Sequence, residues 1–285
     1  MSIRVIDAHL NGTPQDEKVL ASALALAQRF GGHVYATYAL PSPTLTPPPT
    51  GLGLFPGVYK ALAASAKSEW QERADKAEAR FKAWCAKNKL LQSDGPDKFS
   101  PPTIEWRQAG KHESLALASP LADLLVTVPP PLTDETAFQL GFELPLLREG
   151  RPVLFVPKGV TATRYETPLI GWNGSSEAFH AVQAALPILQ KAATVHVCTV
   201  AEKDFTESLS DKLIAYLAWH GIQAVAAKPA KAAGVEASLE ATAHRVGADL
   251  LVMGAYTHGR LRQLVFGGMT RHILNRGKIP TLMAH

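Results

Sequence analysis

The chain repeats itself, and that repeat restricts its fold more than any other feature. An apolar run, Ile3–Leu10, leads into Asn11-Gly12-Thr13 and a helical pattern; Leu169-Ile170-Gly171-Trp172 leads into Asn173-Gly174-Ser175 and another, at an offset of 162. Asp123-Leu124-Leu125-Val126 returns as Asp249-Leu250-Leu251-Val252 at an offset of 126, and Pro152 with its apolar strand returns at Pro280, offset 128. The same features in the same order mean two copies of one supersecondary unit. The fall from 162 to 126 places roughly 36 extra residues in the first copy, between Thr13 and Asp123.

The extra residues can be located. Pro41–Gly57 holds five prolines by Pro49, with Gly51, Gly53 and Gly57. Proline lacks the amide that a helix or sheet interior needs, so this segment reads as a loop, a mobile lid or a docking element. Behind it a long helix is predicted over 61–89, because Trp70, Ala74, Ala77, Phe81 and Trp84 recur at spacings of 4, 3, 4 and 3.

Strands and helices alternate along both copies. In the second, strands are predicted at Leu169–Trp172, Thr194–Val200, Ala224–Ala227, Leu250–Gly254 and Thr281–Ala284. Helices are predicted at Glu177–Gln190, Ser208–His220, Ala237–Val246 and Gly268–Asn275, the first carrying Phe179, Val182, Leu186 and Leu189 on one face. Leu250-Leu251-Val252-Met253 is apolar throughout, which predicts a parallel sheet covered on both faces, an α/β fold. The polar seam Lys158–Thr167 divides the chain into units 1–158 and 166–285. Each ends in a short edge strand, Val153–Val156 and Thr281–Ala284. Unpaired edges favour pairing, so the units are expected to pack as an internal pseudo-dimer.

Composition narrows the function. The apolar fraction of 46% rules out disorder, and no apolar run is long enough to span a membrane. The opening residues lack a signal peptide's apolar core, so a soluble, cytoplasmic protein is expected. A formal charge of +4 does not argue for nucleic acid. Cys85 and Cys198 read as core residues, and the ten histidines form no ligand spacing, so no metal site is expected. There is no Gly-x-Ser-x-Gly elbow and no Gly-x4-Gly-Lys-(Ser/Thr) loop.

In open parallel sheets, ligands bind beyond the C-terminal strand ends, beside helix N-termini. Two such places stand out, Asn173-Gly174-Ser175 and the run from Gly254 through Thr257, His258 and Gly259 to Gly267-Gly268-Met269-Thr270. Arg260, Arg262 and Arg271 add positive charge there, which suits the phosphates of a nucleotide. His258 either faces a phosphate or lies on the surface, and Trp172 either stacks on a base or closes the core.

Met253-Gly254-x2-Thr257, followed by Gly267-Gly268, resembles the glycine signature of the universal stress protein family. Arg260-Leu261-Arg262, Met269 to Leu274 and the closing Ile279–Met283 strand resemble tandem bacterial members. Thr257 stands where the family has its second glycine, Gly268 where it has Ser or Thr, and Asn173 where it has a nucleotide-facing aspartate. The resemblance implies two Rossmann-like, adenine-nucleotide-α-hydrolase-like five-stranded parallel sheets of order 3-2-1-4-5. It also implies binding of ATP or AMP, with Mg2+ accompanying ATP, and association through the last strand. Carried onto this chain, it puts adenine near Gly171, Trp172, Val200 and Met253. Ribose falls near Asn173 and Gly254, and the phosphates near Gly267, Gly268 and Thr270.

The first unit lacks that equipment. Pro129, Pro130 and Pro131 follow its Leu124–Val128 strand, and Gly141 is followed by Phe142 and Glu143. One nucleotide per chain, in the second unit, is therefore expected. No catalytic residue emerges. Nucleotide binding without dedicated turnover, slow ATP hydrolysis or α-phosphate transfer, and a purely partner-binding role remain the alternatives.

Overall fold

The computed structural model describes residues 2–38, 56–93, 102–108, 121–130, 145–147, 149–160, 164–199, 206–255 and 268–285. Its strands are β1 Val5–Leu10, β2 His33–Tyr38, β3 Leu91–Gln92, β4 Thr103–Gln108, β5 Leu124–Thr127, β6 Val153–Phe155, β7 Pro168–Gly171, β8 Val195–Cys198, β9 Ala224–Ala226, β10 Leu250–Gly254 and β11 Thr281–Ala284. The helices are α1 Asp16–Phe30, α2 Pro56–Lys87, α3 Ser176–Leu189, α4 Thr206–Trp219, α5 Val235–Arg245 and α6 Gly268–Arg276. The described strands form one sheet, ordered β3-β4-β2-β1-β5-β6-β11-β10-β7-β8-β9. Every neighbouring pair is parallel except β6 and β11.

That single antiparallel pairing joins the halves around a local two-fold axis. Leu154 faces Leu282, with Phe155 opposite Thr281 and Val153 opposite Met283. Leu154 and Leu282 are equivalent in the repeat, so the axis passes between them and each half presents the same strand to the other. Arg29 and Lys191 are equivalent too. Each donates a side-chain hydrogen bond to the other's main-chain carbonyl. The equivalence extends to side-chain hydrogen bonds elsewhere. Asp123 accepts from the amides of Arg4 and Val5 at 2.7 and 2.9 Å, and Asp249 accepts from those of Glu166 and Thr167 at the same distances.

One face of the sheet is apolar along its whole length. Ile6, Ala8, Val34 and Ile104 in the first half, and Ile170, Val197, Val252 and Leu282 in the second, share one core with residues of α1 to α4. The stripe of α2 is buried as its spacing predicts. Trp70, Ala74 and Ala77 pack with Tyr38, and Phe81 and Trp84 join the main core. The helix begins at Pro56, ahead of the predicted start, because proline's fixed φ suits a first helical turn whose amides are unpaired anyway. The rest of the proline-rich segment, 41–55, lies outside the described residues.

Helix α3 corrects the sequence reading. Val182 and Leu189 are buried as expected, together with Ala178, Ala181, Ala185, Pro187 and Ile188, while Phe179 and Leu186 are half-buried. Small side chains face inward because the helix lies hard against β10. A Cβ on Gly254 would stand 2.5 Å from the Ala178 nitrogen and 2.7 Å from the Glu177 carbonyl carbon. Glycine at 254 is therefore a packing requirement, whatever else it does.

The opposite face differs between halves. In the second, Leu169, Cys198, Leu251, Met253 and Met283 pack against Leu239 and Ala243 of α5 and Ile273 and Leu274 of α6. In the first, the strand read as an apolar run alternates: Ile6, Ala8 and Leu10 take the apolar face, and Asp7 and His9 take the other. Both are buried, and the register places Tyr35 beside Asp7 and Thr37 beside His9. Asp7 accepts a 2.7 Å hydrogen bond from the Thr37 hydroxyl through one oxygen and pairs with His9 Nε2 at 2.9 Å through the other. The array continues outward. His33 Nδ1 meets the Thr103 hydroxyl at 2.8 Å, Arg107 Nε donates to Glu105 at 2.9 Å, and the Arg107 guanidinium lies 3.3 Å over the Tyr35 ring.

Candidate functional site

The parallel register sets β7 beside β10, with Gly171 opposite Met253. Their C-terminal ends deliver Asn173-Gly174-Ser175 and Gly254 to one edge of the sheet. There the Asn173 side chain folds back and accepts from the Ser175 amide at 3.1 Å. Gly174 takes φ +75°, which closes the turn, and Ser175 caps α3 by accepting from the Ala178 amide at 3.2 Å. Asn11-Gly12-Thr13 is built alike: Asn11 Oδ1 accepts from the Thr13 amide and hydroxyl, and Gly12 has φ +79°.

The two turns differ in what reaches their amides. In the first half, the Asp16 carboxylate accepts from the amides of Asn11 and Gly12, at 3.0 and 2.8 Å. Arg80, arriving from α2, donates to the Gly12 carbonyl, so that turn is filled and roofed from within. Burial raises the Asp16 carboxyl above its ordinary value, while the turn amides and Arg80 pull the other way. In the second half the position equivalent to Asp16 is Ala178. Among the described residues, nothing accepts from the amides of Asn173 and Gly174. Asp16 was missed in the sequence because its role needs the turn closed; its one signal is the repeat alignment, which sets a carboxylate against an alanine.

The other expected site residues sort as follows. Trp172 is half-buried, packs against the core and donates from its indole nitrogen to the Leu209 carbonyl at 3.1 Å. Gly171 lies under α5: a Cβ there would be 3.0 Å from Leu239 Cδ2. Met253 is buried in the same cluster, as is Leu239. Asn173 is exposed. Gly268 opens α6, and Thr270, one residue past Met269 in its first turn, is buried. Val200, Thr257, His258, Arg260, Arg262 and Gly267 lie outside the described residues, as do Pro131, Gly141 and Glu143 of the first half.

Neither cysteine takes part. Both are buried, and burial pushes the Cys85 thiol up to about 11 and raises that of Cys198. A thiol reacts as its thiolate, so both should be inert to a disulfide reagent at pH 8 in the folded protein. Denaturant should release two fast-reacting thiols; fast labelling of either in the native state would contradict their placement. Among the described residues, no group of three or more His, Cys, Asp or Glu side chains could hold a metal ion. No helix among them is long and apolar enough to cross a membrane.

The fold and its paired turns define a doubly wound α/β protein of two similar halves. Residues 164–285 match the model of the universal stress protein family. The fold of the whole chain is similar to that of a universal stress protein from Archaeoglobus fulgidus DSM 4304. The two superpose with a TM-score of 0.60 at 14% identity, over 99% of this chain and 96% of that one. A functionally unknown protein from Pseudomonas aeruginosa PAO1 superposes with a TM-score of 0.52 at 15% identity, over 99% and 92% of the two chains. No curated protein matches the sequence.

Proposed function

We propose that the chain is a universal stress protein that takes one adenine nucleotide, ATP or AMP, in its second half, without dedicated turnover. The observation that carries this reading is the contrast between the two turns. An internal carboxylate already sits on the Asn11 and Gly12 amides, whereas the Asn173 and Gly174 amides have no such partner among the described residues. Two such amides at a helix N-terminus suit an oxygen-rich ligand. Asn173 keeps hydrogen-bonding capacity and carries no charge to repel one. Gly267, Gly268 and Thr270 supply the phosphate end, and Mg2+ would arrive with ATP.

Titration calorimetry with ATP and AMP is expected to give one site per chain. Gly268→Asp places charge and bulk beside the phosphates and should abolish binding while leaving the thermal unfolding curve in place. Two equal sites, or binding that survives this substitution, would show the assignment to be wrong. Phosphate release above about one per minute would replace the binding-only reading with that of a slow hydrolase.

A further inference from the structure

A pocket lies where the halves meet, beside α3 and the end of β11. It encloses about 490 Å3 and takes its walls from each half. Ile3 and Pro152 come from the first half; Ala184 and Pro187 of α3, with Ala284 of β11, come from the second, and together they make an apolar lining. The volume is that of a small-molecule site.

The polar groups on its wall are Ser2, Asp123, His180, Gln183 and His285. His285 Nδ1 lies 2.9 Å from the Ala255 carbonyl, which can only accept, so that nitrogen carries a proton. The Asp123 carboxylate engages the Arg4 and Val5 amides through Oδ2 alone. Gln183 adds an amide oxygen one turn along α3 from His180. The one formal charge on the wall, that of Asp123, is negative.

We propose that this pocket binds a small organic cation with a flat apolar body and N–H donors, such as an aryl amidine or heteroaromatic amine. The ring would lie between the prolines, with its cationic head toward Asp123. The proposal is independent of nucleotide binding, since its residues and its ligand charge are both different.

Benzamidine and benzoate share one shape and carry opposite charges, so they test both sign and place. Ligand-observed NMR on the full chain should show benzamidine binding at least about tenfold more tightly than benzoate. Gln183→Lys, at a helix-surface position, should weaken benzamidine by a similar factor with the melting temperature unchanged. Asp123→Asn should do the same while keeping an oxygen for the two amides. Should that variant fail to fold, Gln183→Lys decides alone. Absence of benzamidine binding, equal affinity for benzoate, or indifference to Gln183→Lys would overturn the proposal.

Discussion

A chain ending at Lys158 is expected not to persist as a monomer. Removing the second half strips β11 from β6 and leaves an edge whose Val153, Leu154 and Phe155 are at most 1% exposed in the whole protein. Leu154 and Val156 also belong to the core that continues through Ile170, Val252 and Leu282, so the cut opens a packed interior as well as a ladder. Each fully buried side chain of this size contributes roughly 1.5–3 kcal/mol, and an unpaired flat edge templates further pairing. Because Leu154 sits opposite its own repeat equivalent, a second copy of β6 can stand where β11 stood, Leu154 against Leu154. Sedimentation of the truncated chain at micromolar concentration should therefore show a dimer or larger species, unless the protein is lost to aggregation. A stable, well-behaved monomer would mean that the joint does little to hold either half.

The symmetry behind this expectation was legible in the sequence because it rests on local signals. Asp-Leu-Leu-Val recurs, Asn-Gly recurs before a helix, and proline recurs at the last strand. Strand Leu250–Gly254 and strand Thr281–Ala284 coincide with their apolar runs, the first bounded by Asp249 and Gly254 and the second opened by Pro280. The stripe of α2 was legible for the same reason: one helix face is a property of one segment. The side of α3 that faces the sheet was not. Large apolar residues suggested Phe179 and Leu186, but the distance between α3 and β10 is set by Gly254, 76 residues from Ala178 in the chain, and that approach selects alanines. The candidate site divides similarly. Both Asn-Gly turns could be read directly, whereas the Asp16 carboxylate and the Arg80 side chain act across distances that no local pattern encodes. The alternation in Val5-Ile6-Asp7-Ala8-His9-Leu10 was present in the sequence but hidden by reading the strand as a single apolar run.

That alternation leads to the largest single-residue effect expected in the first half. Asp7 is fully buried in the middle of β1, between a hydroxyl and an imidazole that both depend on it. The equivalent residue in the second half is Leu169, which packs in an apolar cluster. A buried carboxylate is therefore not required by the fold plan, yet once present its partners are committed to it. Asp7→Ala removes both acceptor oxygens at once and leaves the Thr37 hydroxyl and the His9 ring without them, next to a new cavity. Removing one member of a buried pair costs about 3–5 kcal/mol, because the desolvated partners remain. Asp7→Asn should cost much less. Its oxygen can still accept from Thr37, and its amide can donate to His9 Nε2 once the ring's proton moves to Nδ1. Urea unfolding should show the alanine variant losing several kcal/mol at an unchanged m-value, with the asparagine variant between it and the parent. A loss below about 1 kcal/mol for Asp7→Ala would mean that the Thr37–Asp7–His9 arrangement is solvated and contributes no more than a surface contact.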